Sequence, residues 1–296
     1  MKWLTWDQSA VVVALCLGTL LALRFVAPTP RTRAASAAAR ELALVGSLYT
    51  IWRLARQLPL VREDGAIERA RTIDEWQQWM HLPTEISLQR FVVEHEWLAW
   101  ATNAYYALVH VPSIVFFLIW LFVFHRDHYP HWRNGLAILT FFCLVIRFLR
   151  VAPPRFIPEL GFVDLSASYG LSVYGPVGTG VSDQFAAMPS IHVGWAAVVS
   201  LGAFSAIASW WRYLWLGHLA ITLFVVAATG HHWWLDGIVA IALLGLGLLM
   251  DSGGRSLGER LTSGADPPDT SEDLDVDLVG GIGELSGNRV SRKPSW

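Results

Sequence analysis

Charge is what this chain has least of. Only 16% of its 296 residues are Asp, Glu, Lys or Arg, against 54% hydrophobic, where a soluble domain carries roughly a quarter charged residues. That scarcity argues against a soluble globular protein and for one that sits in a bilayer. Acidic and basic side chains, 24 and 22, nearly cancel, and nothing in their distribution suggests a footprint for nucleic acid. Cysteine is almost missing: Cys16 and Cys143 each stand inside an apolar run, where a single cysteine usually serves as a small buried hydrophobe, so neither a disulfide nor a metal cluster is inferred. No internal repeat is evident. Tryptophan is what the chain does have, sixteen of them, and indole rings favour the membrane–water interface.

Crossing the hydrocarbon takes about 20 mostly apolar residues, and six runs qualify as candidates: 8–27, 103–124, 135–152, 191–209, 213–230 and 235–250. The expectation is an all-α polytopic membrane protein built as a six-helix bundle. The first run has a second reading as a cleaved signal peptide, because Lys2 precedes a Leu/Val/Ala run followed by small residues. Residues 31–100 are too polar to cross. Within them Leu44, Leu48, Ile51, Trp52 and Ala55, and then Ile67, Ala70, Ile73, Trp76 and Met80, recur at helical spacing. Such amphipathic helices lie along a membrane surface or pack on the spans as cover; the pattern fits both. The chain thus divides into a first span (1–30), interfacial helices (31–100), a catalytic transmembrane core (101–250) and an acidic tail (251–296). The Gly, Ser, Pro and acid content of the tail is too polar to offset the entropy of ordering it.

Polar groups at membrane depth are costly, so clusters of them are candidates for function. Three stand out: "RFLRVAPPRF" at 147–156, "AMPSIHVGW" at 187–195 and "TGHHWWLD" at 229–236. The first ends the third run, the second begins the fourth, and the last joins the fifth to the sixth, so all three emerge on one face. His232 and Asp236 stand four apart and share a face of any helix that starts there; a carboxylate can hold one imidazole nitrogen as N–H and leave the other lone pair for attack. Pro189 and Ser190 read as a helix start, which offers N–H groups to an anion, with His192 two residues on. Arg155 follows two prolines and carries a planar fork suited to phosphate oxygens. Arg147 and Arg150 also read as side chains reaching from the span to the interface. Two histidines, a carboxylate, a serine and an arginine on one face fit phosphoryl transfer. Zinc would want three ligands in tight geometry without an arginine beside it, and haem would want axial histidines from facing helices; neither fits these positions, and no metal or cofactor is expected.

At these residues the sequence resembles the type 2 phosphatidic acid phosphatase (PAP2) superfamily, and within it the branch of inositol phosphorylceramide synthases. The resemblance covers roughly residues 65–250 and rests on "VAPPRF", "GFVD" at 161–164, "AAMPSIHVGWA" and "TGHHWWLD", with "NAYYALVH" at 103–110 and Tyr129 to Asn134 in support. It implies a six-helix, metal-free membrane enzyme working through a phosphohistidine: His232 the nucleophile, Asp236 its orienting partner, His192 the acid for the leaving group, Ser190 and Arg155 the phosphate binders. The superfamily's usual Ser-Arg and Lys are replaced by Val225, Val226 and Phe148, which leaves Arg147 or Arg150 as substitutes. It assigns nothing to His231. Three functions follow as expectations: a lipid phosphatase, a transferase in which an alcohol replaces water, or a non-enzymatic scaffold or channel. The expected partners are a lipid phosphate and the bilayer, with no nucleic acid. Placing the three motifs outside the plasma membrane leaves Arg126, Arg133, Arg212, Arg255, Arg260 and the tail in the cytoplasm, as the positive-inside rule prefers, but puts Arg31, Arg33 and Arg40 outside.

Overall fold

The computed structural model describes residues 4–55, 65–169 and 185–263. Their regular elements are helical, joined by a single isolated β-bridge between Val151 and Ala186. In chain order they are α1 (Trp6–Leu23), α2 (Pro30–Ala55), α3 (Ala66–Trp79), α4 (Glu85–Val93), α5 (Glu96–Leu108), α6 (His110–Phe124), α7 (Tyr129–Ile146), α8 (Leu165–Tyr169), α9 (Ile191–Ala206), α10 (Arg212–Ala228) and α11 (Trp234–Ser263), with two single-turn 3-10 helices between α7 and α8.

The expected all-helical fold is observed, and its helices are those of a membrane protein. Large apolar side chains stand open on the outside, among them Phe25, Phe116, Phe124 and Leu249, an arrangement that water penalises and lipid does not. By length and composition α1 and the Trp234–Gly258 part of α11 can each cross a membrane. A third crossing exists if α5 and α6, bent by 50° where they meet, count as one broken span. Pro112 in the first turn of α6 lacks the N–H that would continue α5. α9 and α10 are apolar but only 16 and 17 residues long.

The core lies where α6, α7, α9 and α11 meet: Phe117, Leu121, Leu139, Ala197, Val198 and Leu244 are buried together. Gly202 lets α9 close on α6, since a Cβ there would collide with the rings of Phe117 and Trp132.

The α2 segment, expected as an interfacial helix, runs alongside α7 and in the same direction. Arg133 near the start of α7 pairs with Glu41 at 2.6 Å; Arg147, fourteen residues on, donates to the carbonyl of Ala55, fourteen residues after Glu41. The two helices therefore keep step over about 20 Å at 1.5 Å per residue. The pairing explains how so polar a helix is held there: Glu41 and the Ala55 carbonyl meet arginines of α7, while Leu42, Leu48, Ile51 and Leu54 face outward. α1 folds back antiparallel on α2, tied by Tyr49 Oη to the Leu4 carbonyl at 2.8 Å and Ser9 Oγ to the Gly46 carbonyl at 3.2 Å. Arg31 and Arg33 therefore lie toward the Arg126–Arg133 end of α7, not at the motif end where span counting put them, because that count took α2 for a surface segment.

α11 is longer than the apolar run 235–250. It does not stop where the composition turns polar but continues as helix to Ser263; extending an existing helix costs far less than starting one, and the next proline is Pro267. From Arg255 the chain forms a separate unit, helical over residues 255–263; the rest of the acidic tail, 264–296, lies outside the described residues.

In a background with Cys16 and Cys143 replaced, cysteines in place of Thr29 and Asp127 are expected to react with an impermeant maleimide from one side of a sealed vesicle, and a cysteine in place of Glu159 from the other. Labelling of positions 29 and 127 from opposite sides would break the pairing of α2 with α7.

Candidate active site

The turn from α10 to α11 is built by backbone demand. Gly230 has φ +64° and ends α10, a left-handed position that glycine occupies without strain; a Cβ there would also stand 2.8 Å from the Phe162 ring. The N–H groups of His231 and His232 both donate to the Val226 carbonyl, at 3.1 and 3.2 Å. Val226 serves here through its backbone and is buried.

α11 then starts with its first N–H groups already bonded. Trp233 N–H donates to Asp236 Oδ2 at 2.8 Å, Trp234 N–H to Glu85 Oε1 at 3.0 Å and Leu235 N–H to Gln77 Oε1 at 3.0 Å. Gln77 Nε2 donates in turn to Glu85 at 2.8 Å. Helices α3 and α4 thus cap the first two N–H groups of α11 with side chains, beside the local bond from Asp236.

The segment after α7 is pinned to the segment before α9 by the isolated bridge: Val151 N–H donates to Phe185 O at 2.8 Å and Ala187 N–H to Val151 O at 3.1 Å. This holds the Ala187 carbonyl 2.7 Å from His232 Nδ1. A carbonyl only accepts, so the proton sits on Nδ1 and Nε2 carries the lone pair. That Nε2 faces His192 Nδ1 at 3.3 Å; the geometry makes His192 Nδ1–H the donor. Asp236 Oδ2 lies 3.4 Å from His232 Nδ1, so the expected carboxylate partner is present, in second place to the carbonyl. Ser190 caps α9, its Oγ accepting from Val193 N–H at 3.3 Å, while its own N–H donates to the Asp236 carbonyl at 3.1 Å. The two histidines are therefore fastened to each other's helices.

Arg155 reaches the same turn. Its N–H donates to the Gly230 carbonyl at 3.2 Å, its side chain is only 3% exposed, and its Nε lies 3.7 Å from Asp164 Oδ2. The "GFVD" loop that presents Asp164 is clipped to α4 by Gln89, which donates to Val163 O at 3.0 Å and accepts from Val163 N–H at 2.7 Å. Arg150 is buried next to the bridge, with its carbonyl taken by Arg69 Nε at 2.5 Å. Arg147 turns to the Ala55 carbonyl of α2.

Sequence reasoning missed the wall behind this pair. His231 is buried, its ring stacked on Tyr106 at 4.0 Å and its Nε2 3.1 Å from Ser166 Oγ, which donates to Asn103 Oδ1 at 3.2 Å. Burial first, and then the nearby Arg155, hold its imidazole well below the usual histidine range, so it is neutral. Tyr106 also lies 4.5 Å from the His192 ring, and His110 lies 4.8 Å from it. The signal was in "NAYYALVH": Asn103, Tyr106 and His110 recur at steps of three and four, one face of a helix. Among the described residues no group of three or more His, Cys, Asp or Glu could hold a metal ion.

Two histidines at 3.3 Å, one with a fixed lone pair, beside a buried arginine at the end of a membrane bundle make a constellation for phosphoryl chemistry. The profile of the PAP2 superfamily matches residues 71–250, and the chain belongs to that superfamily. Its members are usually phosphatases or phosphotransferases, so the chain is an enzyme of that broad kind. No curated protein and no solved structure matches it.

The capping by Glu85 can be tested by pH and substitution. Burial, above all, raises the Glu85 carboxyl above the usual glutamate range, so the folded state binds that proton more tightly than the unfolded state. Stability then falls as pH rises from the ordinary glutamate pKa of about 4.3 to the raised one, and stays level above it. Glu85→Gln keeps an accepting oxygen and is expected to flatten that fall in thermal unfolding; Glu85→Leu strands two donors and should cost about 1–3 kcal/mol. A Glu85→Leu protein as stable as wild type would remove the capping role.

Proposed function

We propose that the protein is a membrane-embedded lipid phosphatase acting on a lipid phosphate or pyrophosphate through a phosphohistidine on His232, without metal or cofactor. The observation that carries the reading is the 3.3 Å approach of His192 Nδ1 to the lone pair of His232 Nε2, with that lone pair fixed by the Ala187 carbonyl. A phosphoryl group that replaces this hydrogen bond and parts the two rings meets the nucleophile on one side and a proton donor on the other. Nε2 attacks phosphorus, the bond to the leaving oxygen breaks, and that oxygen takes the proton from His192 Nδ1. Water then attacks the phosphohistidine and returns a proton to His192, which frees phosphate and resets the pair. Arg155 and the Ser190 end of α9 supply positive potential to the phosphoryl oxygens, and the buried Arg150 adds to it from the adjacent bridge.

On this reading α7, α9 and α10 cross with the longer helices as the six expected spans around the site, α2, which runs beside α7 from one end to the other, adds a return crossing after α1, the site faces away from the cytoplasm at the plasma membrane, and the tail beyond α11 is cytoplasmic. The second reading is a head-group transferase like the inositol phosphorylceramide synthases, in which an alcohol replaces water in the second step. "NAYYALVH" favours it, because the branch resemblance extends to the wall behind His192.

His232→Ala is expected to lower turnover of phosphatidic acid by about 10³-fold or more and to leave no acid-labile, base-stable phosphoenzyme after mixing with labelled substrate. Full turnover by His232→Ala would end the proposal. Asp236→Asn should be milder, about 10- to 100-fold, because the Ala187 carbonyl also holds the tautomer; where a carboxylate alone holds it, the loss is about 10⁴-fold. Equal losses in the two variants would assign the orienting role to Asp236 and not to the carbonyl.

A further inference from the structure

Asn103 and His110 have no part in the steps above, yet both are buried beside them with side-chain nitrogens that lack a hydrogen-bond partner. Asn103 is 0% exposed and its Nδ2 has no hydrogen-bond partner; His110 is 4% exposed and neither ring nitrogen has one among the described residues. Such a group is costly in a protein interior, and a bilayer supplies no water to relieve it. Both stand on the α5–α6 face that carries Tyr106, His110 at the bend of the broken span. That face is turned toward His192, 4.8 Å from the His110 ring, and toward Ser166, whose hydroxyl donates to Asn103 Oδ1.

The chemistry of an occupant follows from the donor set. Between Trp97 and Phe124 the chain has no Asp, Glu, Lys or Arg, so nothing there pairs with an ammonium, a carboxylate or a second phosphate. The Tyr106 ring is already covered by His231 and His192, which removes the obvious aromatic seat for a quaternary ammonium. What remains is an amide N–H₂ that donates and an imidazole that donates at one nitrogen and accepts at the other, a set matched by hydroxyl groups, which do both.

We infer that Asn103 and His110 form a subsite for a neutral hydroxyl-bearing group beside the phosphoryl site, and that this group is the acceptor in a transfer reaction. The inference rests on the phosphohistidine reading and deepens it. The acceptor oxygen attacks phosphorus, the P–Nε2 bond to His232 breaks, and the hydroxyl proton passes to His192 Nδ1. The hydroxyl comes from a soluble polyol or from a lipid alcohol, and the two are separable.

The test uses the full chain in nanodiscs with phosphatidic acid as donor. One arm adds glycerol or sorbitol to the water; the other adds monoacylglycerol to the bilayer. Inorganic phosphate and phosphorylated acceptor are measured together. Wild type is expected to phosphorylate the acceptor in one arm, which identifies the source. Asn103→Leu and His110→Phe should each lower the ratio of phosphorylated acceptor to inorganic phosphate at least about tenfold, the order of one lost buried hydrogen bond. Asn103→Gln and His110→Asn, which keep hydrogen-bonding groups, should retain more of that ratio than the apolar pair and carry the comparison if the apolar variants fail to fold. A ratio unchanged in the variants, no acceptor product in either arm, or tetramethylammonium alone altering turnover overturns the subsite. Absence of acid-labile phosphoenzyme in wild type is a different failure: it removes the phosphohistidine itself, and the subsite with it.

Discussion

One hydrogen bond organises the site: His232 Nδ1–H to the Ala187 carbonyl at 2.7 Å. It fixes which nitrogen has the lone pair and where that lone pair points. The carbonyl is itself held, because the residue that carries it is bridged to Val151. Three residues on, the chain is fastened to the carbonyl of Asp236 through Ser190 N–H. A backbone acceptor is uncharged and does not titrate, so imidazole orientation is insulated from pH in a way that a carboxylate partner alone would not secure. Asp236 is then left close enough to stabilise positive charge on the ring while spending its Oδ2 on the Trp233 N–H.

The parts of this structure legible in the sequence were those governed by local pattern. His232 with Asp236 at four residues, Ser190 as a helix cap and the double proline before Arg155 are short-range signals; Ser190 does cap α9, and Asp236 does lie 3.4 Å from His232, although His232 stands in the turn before α11 and not on its face. The Ala187 carbonyl was not legible, because any residue type supplies one. The place of α2 was missed for a related reason. Its composition reads as surface, and the partners it meets on α7, some ninety residues away, Arg133 for Glu41 and Arg147 for the Ala55 carbonyl, are not visible in its own text. Arg147 illustrates the limit from the other side: three arginines in ten residues look equivalent as text, but the end of α7 directs Arg147 to α2 and the turn after the prolines directs Arg155 to Gly230.

The superfamily match begins at residue 71, inside α3, so α1 and α2 lie wholly before it. They are nonetheless tied to the matched core at both ends of α7, and Trp52 of α2 lies against Trp195 of α9 at 6.3 Å between rings. The hairpin therefore braces the helix that leads into "VAPPRF" and touches the one that carries His192. Stability of the site and attachment of the hairpin are coupled through these contacts, although no residue of the hairpin enters the chemistry.

The collar that Gln77 and Glu85 place on α11 has a further consequence. A bare helix start is an attractive seat for any anion, and this one lies within a turn of the nucleophile. With its amides occupied and a carboxyl group on top, that seat is closed. On the proposed function, a phosphorylated lipid arriving from the bilayer is thereby left the electropositive place between Arg155 and the start of α9. Under that reading selectivity for one binding pose is enforced from outside the site, by α3 and α4, which deny the decoy.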